Sequence, residues 1–157
     1  MKYLITLTMA VCLLFSSVPA MAVQAEDEAA IRKVVEQNQA AFNNHDPRGM
    51  GALAEISLGE NWDGSYKWTA GAENMVDLFK RQPNIKSEIL EEIGIIFFTP
   101  DVAVYKALMD NTGLVDKDGE PLPQVKFLVA SVMVKKNGKW LFAAFFTCSR
   151  TSRPSPC

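Results

Sequence analysis

The chain has 157 residues, with 16 Lys and Arg against 18 Asp and Glu, a formal charge of −2. That balance excludes a general nucleic-acid binder, which needs a basic surface, and an apolar content of 48% excludes disorder. The length fits one domain with a sizeable core, and no internal repeat points to a solenoid.

The first segment reads MKYLITLTMAVCLLFSSVPAMA: one cation at Lys2, an apolar run from Tyr3 to about Phe15, then Ser16, Ser17, Pro19 and an Ala20-Met21-Ala22 cleavage signal. The run is shorter than the ~20 residues that span a bilayer. Residues 1–22 are therefore expected to be a signal peptide and 23–157 the mature domain. Removal costs only the charge of Lys2, leaving 135 residues with a formal charge of −3. The expectation is an exported protein, periplasmic or secreted, with no membrane attachment once the signal is gone. Export also changes the cysteines: Cys12 leaves with the signal, and Cys148 and Cys157 form an even pair in an oxidising compartment. A disulfide between them closes a ten-residue loop, worth about 2.5–3 kcal/mol by chain entropy. The alternative is a reactive thiol at Cys148, which has no histidine near it in sequence.

Glu26 to Asn44 has helical spacing, with Ile31, Val34, Val35, Ala41 and Phe42 on one stripe and Glu26, Asp27 and Glu28 as first-turn acids. Asn38 falls on the apolar stripe. His45 is placed as a C-terminal cap, and Asp46-Pro47 starts a second helix carrying Met50, Leu53 and Ala54 inward. Asp63-Gly64 within ENWDGSYKW reads as a hairpin turn. A third helix starts near Ala72 and ends at Lys80-Arg81 before Pro83.

From Asn84 the period becomes two. Ile85, Ile89, Ile93, Ile95 and Phe97 are expected on one face, Lys86, Glu88 and Glu92 on the other. Strands Val102 to Thr112 and Val125 to Lys135 follow, and Asn137-Gly138 makes a two-residue hairpin. Regular pairing from that turn matches Lys136 with Lys139, Lys135 with Trp140, Met133 with Phe142, Ser131 with Ala144, Val129 with Phe146 and Phe127 with Cys148. The other face pairs Val132 with Ala143, Ala130 with Phe145 and Leu128 with Thr147. Both faces are apolar, so both need cover. Helices cover one, and a second subunit is the economical cover for the other, giving a homodimer through the sheet.

The order of elements, with AIRKVVEQNQAAFNNHD, GAENMVDLF, PDVAVYKA and VMVKKNGKWLFAAF, resembles the SnoaL-like branch of the nuclear transport factor 2-like superfamily, over roughly Glu26 to Thr147. The resemblance implies an α+β cone: three N-terminal helices packed in a strongly curved antiparallel sheet with a pocket at the open end. Relatives include dehydratases, isomerases, cyclases and hydrolases, and also binding and assembly domains, so fold does not dictate use. Many relatives close the last strand with a His where this chain has Phe146 and Thr147, and often carry a large aromatic where it has Asn38. An Asp–His dehydratase mechanism is disfavoured accordingly.

Three readings follow. The first is a binding domain for a small apolar molecule, its pocket formed by Asn38, Trp62, Tyr66, Trp68, Phe97, Tyr105, Phe127 and Phe146. The second is an isomerase or dehydratase with Asp63 as base and Tyr66 or Tyr105 polarising a carbonyl; Asp63 is also simply a turn residue. The third is a protein-interaction domain. Asp110 is expected in a surface pair with Lys106. One His and no Cys-x-x-Cys leave no transition-metal site, DKDGEP reads as a turn rather than a calcium loop, and no cofactor is expected.

Overall fold

The structure, a computed structural model, describes residues 18–54, 57–60, 66–69 and 73–149, with 18–21, 57–60, 66–69, 73, 74 and 149 described as backbone. Helix α1 (Val18–Asn43) is followed by α2 (Pro47–Ala52), the short strands β1 (Ser57–Glu60) and β2 (Tyr66–Thr69), α3 (Glu73–Arg81), and four long strands. These are β3 (Lys86–Thr99), β4 (Val102–Thr112), β5 (Val125–Lys136) and β6 (Lys139–Ser149), antiparallel in the order β3-β4-β5-β6. β1 and β2 pair antiparallel as the hairpin expected around Asp63-Gly64, whose turn lies outside the described residues. This is the α+β arrangement expected, with α1 laid inside a coiled sheet.

Helix α1 starts eight residues earlier than its apolar stripe suggested. Glu26, Asp27 and Glu28 are therefore interior to the helix rather than first-turn acids. Asp27 is buried, and its Oδ1 accepts from Lys135 Nζ at 2.7 Å and from Trp140 Nε1 at 2.9 Å. Burial alone would push this carboxyl up; the two hydrogen bonds and the Lys135 charge outweigh it and hold it below the usual carboxylate value. One buried acid thus ties α1 to the β5–β6 hairpin.

The end of α1 is a Schellman cap. His45, at φ 51°, takes the left-handed position, its N–H bonding Phe42 O, while the Asp46 N–H reaches back to Ala41 O. Its ring stacks on Phe79 of α3 at 4.5 Å, with Nε2 3.0 Å from Ile85 O. Asp46 then caps α2, its Oδ1 accepting from the backbone N–H groups of Arg48 and Gly49.

Two side-chain amides act as missing pieces of backbone. Asn43 accepts from Ser87 N (2.7 Å) and donates to Ser87 O (2.9 Å), closing the free edge of β3 onto the helix end. Gln82, buried just beyond α3, does the same with Val115 at 2.8 Å in each direction. It docks the loop between β4 and β5. Gly113, at φ 70°, lets that loop pass against the Asn84 carbonyl, where a Cβ would collide.

Regular alternation fails at both edges of the sheet, and the expectations built on it fail there. β3 slips register between Ile89 and Glu91, between Glu92 and Gly94, and between Phe97 and Thr99. Its concave face then reads Ile89, Glu92, Ile95, Phe97. Ile93 is turned out to solvent, and Glu92 turns in to receive Arg32 of α1 at 2.9 Å. In β6, Lys136–Lys139, Lys135–Trp140 and Met133–Phe142 pair as expected, but Ala143 has no partner. Past this bulge Ser131 meets Phe145, Val129 meets Thr147 and Phe127 meets Ser149, one residue on from regular pairing. Phe146 and Cys148 move to the convex face. Bulges at the edges bend the sheet around α1, because each extra residue lengthens one strand locally against its neighbour.

Asp110 is also not the surface ion expected. It is 2% exposed, and Oδ2 accepts from Gln124 Nε2 of the loop before β5.

Candidate functional site

The interior separates into two packed clusters. Ile31, Val35, Ala103, Tyr105, Met133 and Trp140 anchor the first, under the middle of α1. Met50, Phe79 and Ile85 form the second, under α2 and α3, with Phe42 meeting Phe79 edge-to-face at 5.4 Å. Between them lies a cavity of about 350 Å³, within the range of small-molecule sites. It opens to the outside and is not sealed within the core, so it is a cleft that a small molecule can enter.

The strands alternate correctly to line it. Tyr105, Met109 and Asn111 come from the concave face of β4, Phe127, Val129 and Ser131 from β5, and Ser87 and Ile89 from β3. α1 contributes Asn38, Gln39 and Phe42, and β6 contributes Phe142, Phe145 and Thr147.

Two neutral polar stations sit in this apolar wall, both made by cross-strand pairs. Tyr105 faces Ser131 across β4 and β5, and Ser87 faces Asn111 across β3 and β4. At the second station the amides of Asn43 and Gln39 both donate to the Ser87 carbonyl, at 2.9 and 3.1 Å. The Asn111 side-chain oxygen is buried there with no hydrogen-bond partner. Among the described lining residues none is Asp, Glu, Lys, Arg or His, and Tyr105 is the one titratable group. Burial pushes its hydroxyl above the ordinary tyrosine value, with the Glu92 charge adding to the rise and Arg32 opposing it. At neutral pH Tyr105 is a phenol, a hydrogen-bond donor and not a base.

Of the residues expected to form the pocket, Asn38, Tyr105 and Phe127 line the cavity. Asn38 is half-buried on α1, which answers why an amide interrupts the helix's apolar stripe: it faces the hollow and not packed core. Phe97 does not line it; its ring meets Trp140 edge-to-face at 5.9 Å in the first cluster. Phe146 does not line it either, being 52% exposed on the opposite face of the sheet, because the Ala143 bulge puts Phe145 in its place. Trp62 and Asp63 lie outside the described residues, as do the side chains of Tyr66 and Trp68 on β2. Cys148 is half-buried on β6, and Cys157 lies outside the described residues.

Alternation alone could have found Ser131 and Asn111, since both share the parity of Tyr105 and its partner. Phe145 had no signal, because nothing in WLFAAFFTC marks which alanine bulges.

No family model matches the sequence, and no curated protein matches it either. Solved structures do match in shape. A hexachlorocyclohexane dehydrochlorinase from Novosphingobium barchaimii LL02 superposes with a TM-score of 0.68 at 12% identity, covering 83% of this chain and 90% of that one. An uncharacterised protein with a cystatin-like fold from Caulobacter vibrioides gives 0.63 at 15% identity, covering 79% and 89%. A nuclear transport factor 2-like protein of unknown function from Shewanella oneidensis MR-1 gives 0.52 at 13% identity, covering 76% and 96%. At these identities the likeness is one of fold.

Proposed function

For a chain folded as a cone of the nuclear transport factor 2-like, cystatin-like kind, we propose that it is a binding protein for a small, largely apolar molecule held in the central cavity. The observation that carries this is the lining: a hollow of about 350 Å³ whose described walls are apolar apart from amides and hydroxyls. Proton abstraction needs a base within hydrogen-bond reach of the substrate, and no described lining residue is a carboxylate or an imidazole. An isomerase or dehydratase would have to draw its base from outside the described lining, where the sequence reading offers Asp63. That assignment rests on sequence, and loss of a discovered activity in Asp63→Asn would revive it.

The assembly belongs to the same proposal. The convex face of the sheet carries Ile96, Leu128 and Phe146, each between 43% and 52% exposed, and Phe98 at 68%. Four strands of at least eleven residues, spaced at about 4.8 Å, make a face of about 700 Å². That approaches the ~800 Å² per partner of a standard interface, so a second copy of the chain is the occupant this face suits. Export is proposed on the N-terminal pattern. Cleavage after Ala22 would shorten α1 to begin at Val23 and bring Glu26 into its first turn, where an acid favours the helix dipole. In that compartment Cys148 and Cys157 are proposed to be joined.

Native mass spectrometry of the protein purified from its exporting host without added ligand tests the reading. The expected result is a dimer of chains beginning at Val23, each two hydrogens light, carrying a defined additional mass of a few hundred daltons. An empty protein that also fails to bind apolar probes would refute the binding role.

A further inference from the structure

We infer that the ligand is an uncharged, largely apolar molecule with a carboxamide or lactam edge, a donor and an acceptor side by side, and that this edge pairs with the side-chain amide of Asn38. The inference rests on the proposed binding role and specifies its chemistry.

Charge is the first constraint. Moving an ion into an apolar site is costly unless an opposite charge meets it there. The described lining offers neither a cation for an anionic ligand nor a carboxylate for a cationic one. The network of Arg32 with Glu28 and Glu92 lies outside the lining and satisfies itself, at 3.2 and 2.9 Å. What remains is a neutral molecule. The rings of Phe42, Phe127 and Phe142 in the wall suit one with an aromatic body.

Polarity is the second constraint, and Asn38 carries it. Val35, Asn38 and Phe42 follow one another at helical spacing along one face of α1, and all three line the cavity. The neighbouring Gln39 lines it too, but its amide already donates to the Ser87 carbonyl at 3.1 Å. Asn38 makes no hydrogen bond with the described residues, and its amide is not sealed off: the side chain is half-buried, in the wall of an open cleft. The unpaired oxygen of Asn111, by contrast, is closed off from the cavity and out of a ligand's reach. A ligand that fills the cleft strips solvent from the Asn38 amide, and any part of that amide left without a partner then weakens binding. The amide holds an acceptor oxygen and two N–H donors, so a ligand that only accepts, or only donates, leaves half of it bare. A carboxamide or lactam meets both halves with two hydrogen bonds, as asparagine does when it reads the adjacent donor and acceptor of an adenine edge.

The test uses a matched set of probes on the purified protein: biphenyl, biphenyl-4-carboxamide, 4-acetylbiphenyl and biphenyl-4-carboxylate, titrated by fluorescence and calorimetry at neutral pH. The ketone has the size and shape of the carboxamide, with a methyl group in place of the N–H donors. The carboxamide is expected to bind about tenfold more tightly than the ketone, the worth of one satisfied hydrogen bond. The carboxylate is expected to bind about tenfold more weakly than the carboxamide, or weaker still. In Asn38→Leu, which continues the apolar face of α1, the preference for the carboxamide over the ketone should vanish while biphenyl itself still binds.

Equal affinity for the carboxamide and the ketone, with biphenyl bound, overturns the Asn38 assignment but leaves the binding role standing, and that comparison needs no variant to fold. A preference that survives Asn38→Leu has the same meaning. A carboxylate that binds as tightly as the carboxamide overturns the neutral-ligand inference. Failure of all four probes overturns the binding role together with this inference.

Discussion

Asp27 shows how far one residue's meaning depends on its surroundings. In the linear chain it belongs to an acidic triplet on a helix; in the fold it is buried and serves both Lys135 and Trp140 from a single oxygen. Asp27→Ala strands an ammonium and an indole N–H, and should cost about 2–4 kcal/mol at pH 7 in urea unfolding. Because the folded-state value is lowered, the stabilisation is fully present above the ordinary carboxylate value of 3.8 and is lost as pH falls through the lowered one. The gap between wild type and Asp27→Ala should therefore narrow only below about pH 4. A gap that instead closed on the alkaline side, between pH 6 and 8, would contradict the assignment. Asn38 makes the complementary case: its place on an apolar stripe was legible as an anomaly, but only the cavity says what the amide faces.

At the scale of elements, the bulge at Ala143 decides which aromatic ring the cavity receives. It sets Phe145 and Thr147 on the concave side and Phe146 and Cys148 on the convex side. Deleting Ala143 restores regular alternation, and a one-residue slip exchanges the two faces of everything beyond it. We expect the deletion to weaken binding of an apolar fluorescent probe at least tenfold and to lower the melting temperature. A crystal structure of the variant should show Phe146 turned inward. Unchanged binding with Phe145 still inward would mean that β5 or the tail absorbs the slip, and that the bulge does not shape the site. The junction between the first two helices was read more reliably than the start of α1 or the strand register, because its caps are local. Asp46-Pro47 and His45 close hydrogen bonds within a few residues, whereas the register of β3 and β6 depends on partners elsewhere in the chain.

For the whole molecule, the division between the two faces of the sheet is the main consequence. The concave face encloses α1 and the hollow, and the convex face holds the apolar side chains that we assign to a partner copy. Leu128→Glu or Phe146→Glu, both on that face and away from the cavity, should convert the dimer to monomer in sedimentation at micromolar concentration. Probe binding should persist within about threefold, since a fold-neutral surface change leaves the cavity walls in place. A wild-type particle that is already monomeric at that concentration would end the dimer proposal without touching the cavity.

Periodicity, caps and the Asn137-Gly138 turn were enough to read the element order and the register of the last hairpin as far as Phe142, because each depends on neighbours close in sequence. Tyr105 and Phe127 were legible by the same rule, lying on strands that keep strict alternation between two others. The tertiary structure decided the bulges at Leu90, Ile93 and Ala143, the burial of Asp27 and Asp110, and the exchange of Phe145 for Phe146. It also decided that the core opens into a cavity. These depend on how far the sheet must bend to wrap one helix, a property of the packed whole that no local stretch of sequence encodes.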